Sequence, residues 1–354
     1  MSSTYSVSAS SASSASSASG MRRTSLLAVG AGGAHAAFPL GVLQQWLLQG
    51  ETMRAEWTHL AGISAGALVT GMIQQVDMQS ITDYARILEV VRTKLCSKLP
   101  LRPHIKLSST LNALYSLFFS NSLYQNDLPK FIQENINFKK FKQSDRTLSI
   151  GMYNQTKGRY ESHVVKPTDS EDHIVKMLTA SCSVPCALPP QKIGGDMFVD
   201  GGLIRVMPFD EIAAFWKNHK GHLDILACYP TTSLQEFKKC ENVKSKFALL
   251  TQCSDCVIDT LWNTYQRDLN DIDDLLQIHT RESAVNTWNI VTDSGTRRVR
   301  FLSPRVGVYI DLVGNQRSVA ELLIRYGREA AKDCQAIASA AQVHTLFTPV
   351  KMRV

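Results

Sequence analysis

The distribution of apolar positions divides the chain into a leader without a hydrophobic pattern and a long region that has one. The first twenty residues are almost entirely Ser and Ala and contain no long apolar stretch. Such a segment cannot bury enough apolar surface to fold, so residues 1–21 are predicted to be a disordered leader. From there on, short apolar runs alternate with stretches of helical period, which indicates a folded domain over residues 22–354.

The first strongly patterned unit is a strand, a glycine loop and a helix. Residues 26–29 form an apolar run that predicts a buried strand, residues 30–33 are Gly-Ala-Gly-Gly, and residues 34–48 have helical period. Unpaired backbone N–H groups at the start of such a helix can hold a phosphate or the oxyanion of an acyl intermediate. The loop lacks the Lys-Ser/Thr ending of a P-loop and the spacing of a dinucleotide fingerprint. It therefore predicts an oxyanion cradle, with a simple tight turn as the alternative.

The second unit is the pentapeptide Gly-Ile-Ser-Ala-Gly at residues 62–66. A serine with a glycine two residues to either side is typical of a sharp strand-to-helix turn that presents a hydroxyl group. Side chains at Gly62 or Gly66 would collide across this turn, and the following helix directs its positive end at an oxyanion formed there. Ser64 is accordingly predicted to be a nucleophile, against the alternative of an ordinary turn.

The third unit is Phe-Val-Asp-Gly-Gly at residues 198–202, in which Gly201 and Gly202 let the chain reverse beside Asp200. An isolated Asp at a strand end is usually a turn former or a helix cap. Because a serine nucleophile is already predicted, Asp200 becomes a candidate general base that accepts the Ser64 proton without an intervening imidazole.

Together these units resemble the patatin-like phospholipases. The three blocks occur in that family's order. A fourth block, Ala-Ser-Cys-Ser-Val-Pro at residues 180–185 with Leu-Pro-Pro at 188–190, resembles the family segment that precedes the aspartate turn. The resemblance covers residues 24–229 best. It implies a three-layer α/β/α sandwich with a mainly parallel central sheet, a catalytic core at about 24–229 and a helical C-terminal portion at about 230–354.

The resemblance also implies a mechanism and a substrate class. It makes Ser64 and Asp200 a catalytic dyad and places the oxyanion donors at Gly32, Gly33 and Ala65. The expected activity is hydrolysis of fatty-acyl esters of phospholipids or lysophospholipids, with neither a metal ion nor an organic cofactor. Two alternatives stay open: an acyltransferase that uses the same site, and a non-catalytic membrane-binding protein that retains the fold.

The chain departs from the family pattern at several positions. The family loop usually has Gly, a basic residue and Gly where this chain has Ala31, His35 and Ala36. His35 carries a positive charge only when protonated, so it is interpreted either as a pH-dependent modulator of the site or as a packed helix residue. After the aspartate turn, Val206 replaces a usual Asn, which removes a side-chain hydrogen-bonding group.

The main competing hypothesis is an α/β-hydrolase triad, in which a His follows the acid. Four histidines lie downstream of Asp200, namely His219, His222, His279 and His344. In that fold several strands precede the nucleophile, whereas this chain has room for only two before Ser64. We therefore prefer the dyad and assign no histidine to proton transfer.

Composition bears on the compartment. The chain has 354 residues, of which 44% are hydrophobic and 19% charged, and it has eight cysteines at irregular spacing. These cysteines fit a reducing compartment better than a disulfide framework, and the leader lacks the charged and apolar regions of a secretory signal. We expect a cytoplasmic protein with peripheral membrane association. An export or organellar targeting signal in the Ser-rich leader is the alternative.

The net charge of +7 indicates an anionic partner. Basic residues recur in four clusters, at residues 94–106, 139–142, 238–239 and 297–300. An anionic phospholipid surface is preferred over nucleic acid, because no nucleic-acid-binding module is recognised and the predicted chemistry is ester hydrolysis. The sequence predicts neither an activating partner nor an oligomeric state.

Two further segments allow more than one interpretation. Residues 108–131 are rich in Leu, Phe and Tyr and are predicted to be core, with a lid or an acyl-chain wall as the alternative. The C-terminal portion has an acidic segment made of Asp268, Asp271, Asp273 and Asp274. Since these carboxylates lack metal-site spacing, they are interpreted as a solvated helix face or a helix cap.

Overall fold

A computed structural model describes ten segments of the chain. They are residues 24–49, 57–77, 80–96, 101–103, 124–185, 187–240, 248–278, 284–292, 295–308 and 317–341. The predicted leader lies outside the described residues. So do residues 104–123, which contain most of the apolar segment at 108–131.

The described residues form a nine-stranded main sheet and a separate two-stranded ribbon. In chain order the strands are β1 (Ser25–Val29), β2 (His59–Ile63), β3 (Leu101–Pro103), β4 (Tyr124–Asn126), β5 (Thr147–Asn154), β6 (Arg159–Val164), β7 (Gln191–Ile193), β8 (Asp196–Asp200), β9 (His222–Leu226), β10 (Val285–Thr292) and β11 (Gly295–Leu302). β3 and β4 form the ribbon. The main sheet has the order β10-β11-β9-β1-β2-β5-β8-β7, with β6 also paired to β5. The pairs that link β11, β9, β1, β2 and β5 are all parallel.

Helices cover this sheet. They are α1 (Ala37–Leu48), α2 (Ala65–Gln74), α3 (Ile81–Val90), α4 (Leu128–Asn135), α5 (Phe138–Gln143), α6 (Glu171–Ser181), α7 (Phe209–Asn218), α8 (Leu234–Cys240), α9 (Ala248–Leu276) and α10 (Arg317–Ala341). All five residues of β1 are buried, so elements pack on both faces of the central strands. The predicted α/β fold class with a mainly parallel central sheet is confirmed. None of the helices in the described segments is long and apolar enough to cross a bilayer.

The pairing of β5 brings two distant strand ends together. β2 runs parallel to the first half of β5, up to the pair Ile63 and Gly151. β8 runs antiparallel to the second half, from the pair Asp200 and Met152 onward. Because β6 occupies the other edge of β5, β2 and β8 share one edge and meet end to end. The residue after β2 is Ser64 and the last residue of β8 is Asp200, so this sheet topology positions the two predicted dyad residues side by side.

The C-terminal portion contains α8, α9 and α10 and, in addition to these helices, two strands. β10 and β11 form an antiparallel hairpin that joins the main sheet through β9. The predicted basic surface cluster at 297–300 is wrong for two of its members, because Arg297 and Arg300 are buried. Arg297 stacks on Trp216 and Arg300 pairs with Asp224. Buried arginines obscured the strand pattern, since their side chains look polar in the sequence.

Candidate active site

Ser64 lies at a sharp turn between β2 and α2. Its backbone has φ 56° and ψ −128°, a conformation that costs a non-glycine residue about 1–3 kcal/mol. The flanking glycines permit this turn: a Cβ on Gly62 would lie 2.5 Å from the Gly66 carbonyl carbon, and a Cβ on Gly66 would lie 2.3 Å from the Val29 carbonyl oxygen. The strain therefore persists only because the surrounding backbone holds it, and the turn presents the Ser64 side chain at the carboxyl end of the sheet.

A buried serine supports this strained turn. The Ser64 N–H donates to Ser181 Oγ over 2.9 Å, and the Ser181 hydroxyl donates to the Gly151 carbonyl over 2.7 Å. Ser181 is the last residue of α6 and is completely buried. This role of Ser181 was not predicted from the sequence, although the block at residues 180–185 contains the residue. Ser181 thus ties the turn to β5.

Asp200 ends β8 beside this turn and is buried. Its carboxylate accepts a hydrogen bond from the Gly202 N–H over 2.7 Å and interacts with the Ser64 hydroxyl. The Asp200 N–H donates to the Ser183 carbonyl over 3.0 Å, so the block at residues 180–185 fixes both partners. Burial raises the pKa of Asp200 to about 7, although its interactions with Ser64 and with the Gly202 N–H lower it. Asp200 can therefore gain and lose a proton near neutral pH.

The glycine loop between β1 and α1 has both occupied and available N–H groups. The Gly30 N–H donates to the Leu226 carbonyl and the Ala31 N–H donates to the Val206 carbonyl. The N–H groups of Gly32 and Gly33 have no acceptor among the residues that the structure describes. Gly33 has φ 52° with open space where a Cβ would point, whereas a Cβ on Gly32 would lie 2.2 Å from Cys228 Cβ.

Ala65, the third predicted donor, is the first residue of α2. The described segments offer no acceptor for its N–H either, as is usual in the first turn of a helix. The available N–H groups of the loop and of α2 thus border the turn that carries Ser64, where an oxyanion would form. Backbone donors near the nucleophile can stabilise a tetrahedral intermediate, and the oxyanion role of these three N–H groups stays a prediction.

His35 is buried in the short 3-10 helix Gly33–Ala36 that follows the loop. Its Nδ1 lies 3.1 Å from the Gly32 carbonyl oxygen and its Nε2 lies 2.8 Å from the Val308 carbonyl oxygen. A carbonyl oxygen only accepts hydrogen bonds, so a neutral imidazole can satisfy one of these contacts and an imidazolium both. The ring also contacts Tyr229. His35 is therefore packed and in contact with the loop at the same time.

Two histidines of the competing triad hypothesis lie elsewhere. His222 is the first residue of β9, and the His219 ring contacts His59 at the start of β2. Both positions are at the amino ends of parallel strands, whereas Ser64 follows the carboxyl end of β2. His279 and His344 lie outside the described residues.

One residue of the acidic segment differs from its predicted place on a solvated face. Asp268 is fully buried, and its carboxylate accepts hydrogen bonds from the N–H groups of Val206 and Met207. Burial next to backbone donors explains the difference, because these partners are about sixty residues away in the sequence. Within the described segments, no group of three His, Cys, Asp or Glu side chains is arranged to hold a metal ion.

The site therefore consists of the Ser64 hydroxyl next to the buried Asp200 carboxylate, whose pKa is raised, with available backbone N–H groups beside them. Such a group of residues can move a proton from the hydroxyl to the carboxylate while an oxyanion is stabilised. No imidazole is needed for either step.

Comparison with known proteins places the chain in a family. The model of the patatin-like phospholipase family matches residues 27–213, which is more than half of the chain and includes the Ser64 turn, the glycine loop and Asp200. No curated protein sequence matches the chain. The crystal structure of VipD from Legionella pneumophila is 13% identical, with 91% of this chain and 76% of that chain covered and a TM-score of 0.35. Full-length ExoU of the type III secretion system of Pseudomonas aeruginosa, in complex with SpcU, is also 13% identical, with 91% of this chain and 62% of that chain covered and a TM-score of 0.33.

Since these TM-scores are low, family membership follows from the sequence match to the family model. The mostly parallel sheet of the α/β fold agrees with that match. By that match, the chain belongs to the patatin-like phospholipase family, whose members hydrolyse lipids.

Proposed function

We propose that this protein is a lipid acyl hydrolase that cleaves fatty-acyl esters of phospholipids or lysophospholipids with a Ser64-Asp200 dyad. The observation that carries the proposal is the position of the strained Ser64 beside the buried Asp200 carboxylate, with which its hydroxyl interacts, next to N–H groups that have no acceptor among the described residues. A purely structural Asp at a strand end would not need to face the hydroxyl of a strained serine.

The reaction follows from these positions. Ser64 Oγ attacks the ester carbonyl while Asp200 takes the hydroxyl proton, and the N–H groups of Gly32, Gly33 and Ala65 stabilise the oxyanion. When the intermediate collapses, the C–O bond to the alcohol breaks, Asp200 returns the proton to the leaving oxygen and an acyl-serine remains. A water molecule then attacks this ester, gives its proton to Asp200 and releases the fatty acid, after which Ser64 regains its proton.

Two exposed apolar residues on the segments that flank Asp200 support a lipid as the substrate. Val184 follows Ser183, whose carbonyl holds the Asp200 backbone, and Ile204 follows the Asp200 turn. Their exposed fractions are 43% and 37%. A net charge of +7 favours an anionic phospholipid surface, at which we propose that the protein acts as a peripheral enzyme on the cytoplasmic side.

His35 is proposed to modulate the same reaction. Its contact with the Gly32 carbonyl holds the peptide group that carries the Gly33 N–H, one of the proposed oxyanion donors. A protonated ring would keep the contacts to Gly32 and Val308 together and add a positive charge near the oxyanion. This role is compatible with the packed position of the ring.

The test is fatty-acid release from vesicles of phosphatidylcholine and phosphatidylglycerol by the purified full-length protein. Ser64→Ala and Asp200→Asn should each lower the rate about a thousandfold or more. Asp196→Asn is the matched control, because Asp196 begins the same strand and pairs with Lys157 at the surface. Release that persisted in Ser64→Ala would exclude the proposed nucleophile. Transfer of the acyl chain to an added alcohol in place of water would identify an acyltransferase.

A further inference from the structure

The segment that follows the Asp200 turn braces the glycine loop. Residues 204–207 connect this turn to α7. The Val206 carbonyl accepts the Ala31 N–H over 2.8 Å, and the Met207 side chain packs so closely that its sulfur lies 2.7 Å from where a Cβ on Gly30 would be. The position of this segment therefore sets the position of the loop that precedes Gly32 and Gly33.

Asp268 holds this segment from the other side. One carboxylate oxygen, Oδ2, accepts the Val206 N–H over 2.6 Å and the Met207 N–H over 3.0 Å. The other, Oδ1, accepts from Arg205 Nη1 over 2.8 Å. Asp268 is fully buried and belongs to α9, which lies beyond the residues matched by the family model.

Asp271 lies three residues after Asp268 on the same helix and pairs with the same arginine. Arg205 Nη1 also donates to Asp271 Oδ2 over 2.7 Å, and Asp271 is one-third exposed. Arg267 donates to the Ile204 carbonyl. Arg205 forms ion pairs with Asp210, Asp268 and Asp271. Of these three aspartates, only Asp268 has hydrogen bonds to the backbone of residues 206–207 among the described contacts. Asp271 has the ion pair with Arg205 but no hydrogen bond to this backbone among the described contacts.

We propose that Asp268 is a positioning residue for the oxyanion site, acting through Val206 and Met207 on the loop at residues 30–33. The inference rests on the proposed hydrolase function. Two backbone N–H groups that converge on one carboxylate oxygen fix the peptide between them, and the Val206 carbonyl on the same segment then fixes Ala31. Helix α9 thereby becomes part of the machinery that shapes the site, although it contains none of the reacting groups.

The experiment compares Asp268→Asn with Asp271→Asn in the full-length protein. Both variants lose one negative charge next to Arg205, but only Asp268→Asn disturbs the acceptor of the two backbone amides. Turnover is measured on a soluble short-chain ester, and active sites are counted by complete labelling of Ser64 with a fluorophosphonate. The affinity for a trifluoromethyl ketone, which forms a tetrahedral adduct with its oxygen in the oxyanion site, is measured in parallel.

For Asp268→Asn we expect kcat per labelled site to fall about 10- to 100-fold, with KM within about twofold of the parent protein. Ketone affinity should weaken by the same factor as kcat/KM. All three quantities should stay within about twofold in Asp271→Asn. Equal values in the two variants would overturn the proposal, because loss of folded protein alone lowers the number of labelled sites and leaves kcat per site unchanged.

A second variant covers the case in which Asp268→Asn does not fold. Asp268→Glu keeps the charge opposite Arg205, but its longer side chain moves the carboxylate relative to the two amides. The same fall in kcat and ketone affinity is expected, and parent-like values would again overturn the proposal. Failure of the proposed function has a separate signature, which is a parent protein that shows no Ser64-dependent turnover of any ester.

Discussion

The protonation state of Asp200 connects the chemistry of the site to its stability. The carboxylate is buried, and burial raises its pKa to about 7. In the unfolded chain the same group titrates near its usual value of about 3.9. Between these two values the folded protein binds more protons than the unfolded protein, so the free energy of unfolding falls as the pH rises through this window. The same ionisation produces the carboxylate that can take a proton from Ser64.

The first prediction concerns the pH dependence of activity. Because a general base must be unprotonated, kcat/KM for an uncharged ester should rise tenfold per pH unit below about pH 7 and level off above it. Initial rates measured from about pH 5 to pH 9 check this expectation. A profile that stayed flat through neutral pH would contradict Asp200 as the base.

Asp200→Asn should separate stability from activity. The amide can still accept from the Gly202 N–H and face the Ser64 hydroxyl, but it cannot ionise. Near pH 8 we therefore expect the variant to be inactive and more stable than the parent protein, by a few kcal/mol at most. At about pH 4 the difference in the free energy of unfolding should nearly vanish. Urea unfolding at both pH values measures it, and a variant less stable at pH 8 would contradict the burial argument.

Ser181 allows a sharper test of the strained turn. Ser181→Ala leaves the Ser64 N–H and the Gly151 carbonyl without their partner, which should cost about 1–3 kcal/mol of stability. Relaxation of the turn should also lower kcat at least about tenfold. Ser183→Ala is the matched control, because Ser183 is equally buried and its hydroxyl donates to the Thr179 carbonyl near the end of α6. Thermal unfolding and kcat per labelled site distinguish the two variants.

At the scale of elements, α10 crosses α1 at very short distance. A Cβ on Gly41 of α1 would lie 2.1 Å from the Ile324 carbonyl oxygen, and a Cβ on Gly327 of α10 would lie 2.1 Å from the Phe38 carbonyl oxygen. Both contacts are with backbone, so no side-chain rotation can relieve them. α1 begins directly after the short helix that follows the glycine loop, and the crossing therefore supports the loop from behind.

Gly327→Ala should separate these helices. Alanine favours the helix by about 1 kcal/mol, whereas overpacking against backbone costs about 1–3 kcal/mol, so we expect a net loss of stability. Gly195→Ala, at a turn where a Cβ would meet nothing within 4 Å, is the control. Thermal unfolding of the two variants provides the comparison. A Gly327→Ala variant as stable as the parent would show that the helices can move apart without cost.

Local periodicity predicted the elements that carry the site, and it failed where distant partners decide. The strand at residues 26–29 and the helix at 34–48 were predicted because all their signals are local. The hairpin of β10 and β11 was not, because the arginines that it buries find partners on other strands and helices. Ser181 and Asp268 were missed for the same reason, since Ser181 lies 117 residues from Ser64 in the sequence. A hydrogen bond across such a separation has no periodic signature.

At the scale of the whole molecule, one buried ion pair joins the C-terminal hairpin to the core. Arg300 of β11 donates to both oxygens of Asp224 on β9, and Trp57 Nε1 donates to the same carboxylate over 2.7 Å. The Arg300 guanidinium also lies over the Trp46 ring of α1, 4.0 Å from its centroid. The Arg300 cluster consists of Arg300, Asp224, Trp46 and Trp57. It joins β11 to β9, to α1 and to Trp57, which lies two residues before β2. It therefore favours cooperative unfolding of the predicted domain at residues 22–354.

Asp224→Ala should destabilise the whole molecule because it leaves the Arg300 charge buried without a carboxylate. Breaking such a pair costs about 3–5 kcal/mol, whereas replacing both partners by apolar residues is often close to neutral. We therefore expect Asp224→Leu with Arg300→Met to recover much of the loss. Asp333→Ala is the surface control, since Asp333 and Arg305 form an exposed pair worth about 0.2–1 kcal/mol. Urea unfolding followed by circular dichroism and by tryptophan fluorescence should give coincident transitions for the parent. If Asp224→Ala lost stability no more than Asp333→Ala, the Arg300 cluster would not be what connects the hairpin to the predicted catalytic core.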